Sequence, residues 1–229
     1  MPWGLRMKIK GDKVKDNKPL LSGRLYRLDE SRTVIFEERE TGDVVNIIFT
    51  IGNHQYGIYG NEYKPPFIDD KGGKKADILV LVVDDKRKSF CSWVLDVKKS
   101  VGGEDVICHL VEQLIQSVKH KRAITTYLEE YEEEQHIGYI TRDLQRDRIQ
   151  ETICKKREYL DKEKANIKGM PALIGMEAHL SLLKEEAKLR LISAFQNDCI
   201  ETGGRTYKIE GYISREQNGK FVYDLEAAC

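Results

Sequence analysis

Residues 75–98, KADILVLVVDDKRKSFCSWVLDVK, decide how the chain folds. Two apolar runs, ADILVLVV and FCSWVLDV, flank the polar stretch DDKRKS at 84–89, which reads as a turn between antiparallel strands. If Val83 and Phe90 close that turn, the register sets Asp77 directly across from Asp96. Directly opposed residues project from the same face, with Cβ atoms roughly 5 Å apart. Lys98, two residues past Asp96, joins that face together with Leu79, Leu81 and Val94. Ile78, Val80, Trp93, Leu95 and Val97 line the other face. Both faces are apolar, so this strand pair belongs inside a covered sheet.

Working outward, Gly102-Gly103 opens a helix, EDVICHLVEQLIQSVKHKRAI, in which Ile107, Leu110, Val111, Leu114 and Val118 recur at three- and four-residue steps. That spacing predicts one face packed on the sheet. Upstream, LSGRLYRL, TVIFEER and VVNIIFTIG read as short strands, with a turn at Thr41-Gly42-Asp43; Pro65-Pro66 and Gly72-Gly73 bracket a loop. Downstream, the acidic run Glu129 to Glu134 reads as a solvated helix face or loop, and HIGYIT as a further strand. Residues 143–165 read as a charged helix and 177–195 as an amphipathic one. The tail RTYKIEGYISREQNGKFVYDLE reads as a β-hairpin around Asn218-Gly219. The order predicts a single α/β domain over 1–229, a mixed central β-sheet flanked by helices. Within it, residues 1–60 form a basic β-rich segment, 61–142 the core, and 143–229 a helical segment with a C-terminal hairpin.

Composition narrows the function classes. Lys and Arg number 38 against 38 Asp and Glu, which excludes a generally basic nucleic-acid binder but not a local basic surface. One such surface is residues 1–27, where eight basic residues face two acidic ones; it reads as a solvated arm or a nucleic-acid contact. The longest apolar run, Ala76 to Val83 apart from Asp77, is far short of the ~20 residues of a membrane helix. No apolar stretch near the start resembles a secretory signal, so the expectation is a cytoplasmic protein with no membrane partner. Five scattered cysteines and five scattered histidines show no CxxC, HxxxH or HExxH spacing, which points to free thiols rather than structural zinc.

Two carboxylates facing each other in apolar surroundings oppose folding, because like charges repel and desolvated carboxylates resist ionising. A divalent cation removes the conflict, and Mg²⁺ takes one or two carboxylates plus waters and phosphate oxygens. A lysine beside such a metal can orient or deprotonate the attacking water and stabilise charge on the phosphate. Asp77, Asp96 and Lys98 therefore suit metal-assisted hydrolysis of a phosphodiester.

With these residues in view, KKAD77ILVLVV followed by WVLD96VK98 resembles the core hairpin of the PD-(D/E)XK nuclease superfamily, the restriction-endonuclease-like fold. The resemblance spans roughly residues 62–142. It implies that Asp77 and Asp96 bind Mg²⁺ (or Mn²⁺), that the Val97 carbonyl adds a ligand, and that Lys98 is the catalytic lysine. A glutamine on the following helix corresponds to Gln113 or Gln116, Gln113 being preferred because it borders the apolar stripe. For the family's upstream acid the candidate is Glu62, with Asp69 and Asp70 as alternatives. The chain departs from the pattern at Ala76, where the family has proline, and in residues 20–60, which read as strands where the family has a helix. The implied activity is a DNA nuclease, plausible in restriction or antiphage defence, or else a non-cleaving binding or assembly subunit on the same scaffold. Lys99, Lys119, Lys121 and Arg122 are the candidate backbone-phosphate contacts; a basic helix end also complements the helix dipole. Neutral overall charge implies weak non-specific affinity, hence a homodimer or a partner subunit.

Overall fold

The computed structural model describes residues 6–9, 19–21, 25–38, 42–61, 75–167 and 172–229. Its strands begin with β1 (Arg6–Ile9), β2 (Pro19–Leu21), β3 (Leu25–Leu28), β4 (Arg32–Glu37), β5 (Val44–Phe49) and β6 (Gln55–Asn61). The two motif strands follow as β7 (Ile78–Asp84) and β8 (Ser89–Val101), then helix α1 (Glu104–Ile124) and β9 (Glu132–Leu144). Helices α2 (Arg146–Ile167) and α3 (Ala172–Gln196) precede β10 (Cys199–Thr202), β11 (Arg205–Lys208), β12 (Glu210–Ile213), β13 (Arg215–Gln217) and β14 (Lys220–Ala227).

The main sheet has seven strands in the order β12-β9-β8-β7-β6-β3-β2. From β6 to β8 the chain meanders antiparallel, and β9 returns parallel to β8. A parallel return needs a crossover, which α1 supplies. A second sheet, β1-β4-β5-β14-β13, lies over one face of the first. Phe49 of β5 occupies the space at Gly57 of β6, where a Cβ would meet its ring at 2.7 Å. The molecule is thus a mixed α/β fold with a central mixed sheet.

Both faces of β7 are covered, and all seven of its residues are buried. Leu79, Leu81 and Val83 pack with Val94 of β8 against the stripe Ile107, Leu110, Val111, Leu114 and Val118 of α1. Ile149 and Ile153 of α2 and Ile192 and Phe195 of α3 close the same layer. Ile78, Val80 and Val82, with Cys91, Trp93, Leu95 and Val97, pack on the other face against Val34, Phe36, Val45 and Ile47 of the second sheet. Full burial of each such aliphatic contributes roughly 1.5–3 kcal/mol, and it explains why β7 reads as an unbroken apolar run.

Two expectations need correction. The acidic residues Glu132, Glu133 and Glu134 are neither helix nor loop; they begin β9 and pair with Ser89, Phe90 and Cys91. The hairpin at Asn218-Gly219 forms, with φ of 51° and 74° as a primed turn requires. Its long strand β14, however, inserts parallel beside β5, from Val222 opposite Val44 to Ala227 opposite Phe49. Residues from both ends of the chain therefore share the second sheet.

Candidate metal and phosphate site

Val83 pairs with Phe90 and Ile78 with Leu95, so Asp77, one step before β7, stands across from Asp96 as the register requires. The odd–even alternation of the two strands turns both carboxylates toward the α1 layer. Asp77 is 9% exposed and Asp96 0%. Asp77 Oδ2 accepts the Val97 N–H at 2.7 Å, which fastens the start of β7 onto β8. Lys98 Nζ lies 2.5 Å from Asp96 Oδ2, and its side chain keeps 20% exposure. The three residues singled out by the hairpin register converge.

Helix α1 sets the approach to Asp77. Gln113, buried at the edge of the stripe, donates from Nε2 to the Lys75 carbonyl at 2.7 Å. One turn on, Ser117 Oγ accepts the Ala76 N–H at 2.6 Å. Gln113 therefore holds the segment that delivers Asp77, while its own Oε1 is buried without a hydrogen bond. Ser117 was not among the expected site residues, although it falls one helical turn from Gln113 on the same face.

The electrostatics are those of two carboxylates in one dry place. Burial raises the Asp77 carboxyl well above the usual range, and the neighbouring Asp96 raises it further; Lys98 and the Val97 N–H only partly offset this. Burial also raises Asp96, against the pull of Lys98. For Lys98, burial works against the ammonium, yet Asp96 and Asp77, with Glu38 adding to them, lift it above the ordinary lysine value. Asp96 Oδ2 is met by Lys98, while among the described residues Asp96 Oδ1 has no hydrogen-bond partner. Two carboxylates against one ammonium leave one negative charge to be met by a proton or a cation. A buried carboxylate oxygen left without a hydrogen bond is the donor type Mg²⁺ selects, so the residues fit that ion.

Glu38 escaped the sequence reading. It sits in the turn after β4, where its N–H donates to the Asp43 carbonyl at 2.8 Å. The signal available was an acid just ahead of the Thr41-Gly42-Asp43 turn; nothing local says that this turn reaches Lys98. Glu62, Asp69 and Asp70 lie outside the described residues. Val97 is in place beside the dyad, engaged there through its N–H.

The basic candidates divide. Lys99 is exposed, next to Lys98 on the opposite side of β8. Lys119 and Arg122 are exposed and line, with Arg205, an open cavity of about 650 Å³. Phe90 lines it too, six residues along β8 from Asp96, or roughly 20 Å at strand rise. Lys121 is a correction. It is 1% exposed, paired with Glu133, and donates to Gln135 Oε1 at 3.1 Å, so it cannot meet a phosphate. Desolvation lowers its affinity for a proton, with Glu133 opposing.

Comparison with family models, curated proteins and solved structures returned no match to this chain. No helix among the described residues is long and apolar enough to cross a membrane.

Proposed function

We propose that this chain is a metal-dependent nuclease of PD-(D/E)XK type that hydrolyses phosphodiester bonds, with DNA as its substrate. The observation that carries the reading is the buried, register-enforced meeting of Asp77 and Asp96 beside Lys98. It is supported by the succession of a strand begun by an acid, a strand bearing Asp-Val-Lys, and a helix packed behind both. Asp77 and Asp96 would hold Mg²⁺. When bound, the ion supplies an acidified water and polarises the scissile phosphate. Lys98, kept as an ammonium by its two carboxylates, stabilises negative charge on the phosphate rather than acting as a base. Gln113 and Ser117 position Asp77 through Lys75 and Ala76.

Enclosure favours a second reading, a binding or assembly subunit that keeps the scaffold, since of the three side chains only Lys98 reaches solvent appreciably. One assay separates the two. The purified chain is incubated with supercoiled, linear and single-stranded DNA and with RNA, in Mg²⁺, Mn²⁺ or EDTA. The nuclease reading expects cleavage of DNA with metal only, reduced on the order of 100-fold or more in Asp96→Asn and Lys98→Ala. Cleavage that survives either substitution removes this site; no cleavage of any substrate, with no Mg²⁺ or Mn²⁺ bound by calorimetry, leaves the second reading.

A further inference from the structure

On the opposite face of the main sheet, the parallel register of β8 and β9 sets Cys91 beside Glu134 and Trp93 beside His136. Parallel partners point to one side, so all four side chains gather there. The Cys91 thiol, a Glu134 carboxylate oxygen and a His136 ring nitrogen lie within 4.8 Å of one another. His136 Nε2 is 3.3 Å from Glu134 Oε1, while its Nδ1 faces Glu210 Oε2 of β12 at 3.5 Å. Glu210 is held in turn by the Tyr212 hydroxyl, which donates to the same Oε2 at 2.6 Å. Trp93 stacks on the imidazole at 5.3 Å between centroids and 12° between planes, fixing the ring's orientation.

We propose that Cys91, Glu134 and His136 form a mononuclear zinc site with water in the fourth position, and that Glu210 orients His136 from behind. Thiolate, imidazole and carboxylate together are a donor set that Zn²⁺ accepts. Bonds of about 2.0–2.3 Å to tetrahedral zinc place neighbouring ligand atoms roughly 3.3–3.7 Å apart. The His136–Glu134 separation already has that length, and the set needs only a small contraction around an ion. Charge agrees, because one thiolate and one carboxylate neutralise Zn²⁺ while the imidazole stays neutral. The contact of His136 with Glu210 through its other nitrogen is the arrangement that fixes tautomer and direction in metal-bound histidines. Glu134 is 74% exposed and His136 27%, which gives the ion a route from solvent. Cys91 stands five residues along β8 from Asp96 and on the other face, about 17 Å away, so this site is independent of the dyad.

The test uses the full chain stripped with chelator. Zn²⁺ titrated by calorimetry into Asp96→Asn, which removes the dyad as a competing site, is expected to bind at one equivalent, and Co²⁺ to give the charge-transfer absorption of a cobalt thiolate. Cys91→Ser abolishes that absorption, whereas Cys154→Ser, which removes an exposed thiol on α2, leaves it intact. Glu134→Gln, at an exposed position, weakens Zn²⁺ binding at least tenfold, and Glu210→Gln weakens it on the order of 10- to 100-fold. Circular dichroism on each variant reports folding, and Glu134→Gln decides the matter should Cys91→Ser fail to fold. Absence of the cobalt–thiolate absorption in the wild-type chain, or Zn²⁺ affinity unchanged in Glu134→Gln, overturns the site and leaves His136 as a structural contact between Glu134 and Glu210.

Discussion

Asp77 shows at the scale of one side chain how a site opposes the fold that holds it. Its carboxyl is buried against a second carboxyl, and both burial and Asp96 favour the protonated form. In the metal-free folded chain Asp77 therefore keeps its proton at pH values where the unfolded chain, titrating near ~3.9, has already lost it. The folded state then binds more protons than the unfolded one, so stability falls as pH rises from about 4 through the raised Asp77 value. Asp77→Asn reduces that slope, to which the buried Asp96 also contributes. It is expected to raise metal-free stability near neutral pH by about 1–4 kcal/mol while lowering cleavage. Urea denaturation of both proteins between pH 4 and 8 checks this, and equal slopes would remove the coupled carboxylates from the argument. Mg²⁺ should stabilise the wild-type chain and not the variant, because only a folded pair of carboxylates binds it. Lys98 behaves oppositely to Lys121: two carboxylates outweigh its desolvation, whereas Glu133 fails to do so for Lys121.

At the scale of elements, the coupling of α1 to the start of β7 is the feature most open to measurement. Ser117 Oγ is the acceptor for the buried Ala76 N–H, and no backbone ladder replaces it there. Ser117→Ala leaves that N–H unpaired and is expected to cost about 1–3 kcal/mol. Because the same tether positions Asp77, cleavage should fall as well, with KM less affected than kcat. A loss of stability with unchanged kcat would reduce Ser117 to a packing residue. This coupling also marks what can be read from sequence. The hairpin of β7 and β8 was legible because a short polar turn and strict alternation fix a local register, and Asp77, Asp96 and Lys98 follow from it. Gln113 was legible from helical spacing. Lys121 was misread despite the same spacing, for it continues the stripe from Leu114 and Val118, and position outweighed charge once Glu133 stood opposite. Glu38, Glu134 and Glu210 were illegible as partners of Lys98 and His136, since strands distant in sequence bring them there.

At the scale of the whole molecule, two sheets share one apolar interface, and the joint between them is partly ionic. Asp43, 3% exposed in the turn between β4 and β5, accepts from Arg142 Nε of β9 at 2.6 Å. The Arg142 guanidinium also lies 4.1 Å over the Phe221 ring of β14, so one side chain touches the turn, the main sheet and the last strand. The same turn carries Glu38, whose charge reaches Lys98. Asp43→Ala removes a charged hydrogen bond at this joint and is expected to cost about 2 kcal/mol. Trp93 lies in the interface with Val97, Leu95 and the β4–β5 side chains, so with the other tryptophan replaced (Trp3→Phe in every protein compared) its fluorescence reports the contact between sheets. Far-ultraviolet dichroism reports the strands and helices of both. Because β14 brings the end of the chain into the second sheet while β12, just ahead of the β13–β14 hairpin, extends the main one, the chain crosses from one sheet to the other here and their shared apolar interface ties them together. Fluorescence and dichroism should therefore share one midpoint in the wild-type chain and move together in Asp43→Ala. A fluorescence transition that precedes the dichroism would show the second sheet to be a separable layer, and the Asp43–Arg142 joint to be a hinge rather than part of one cooperative core.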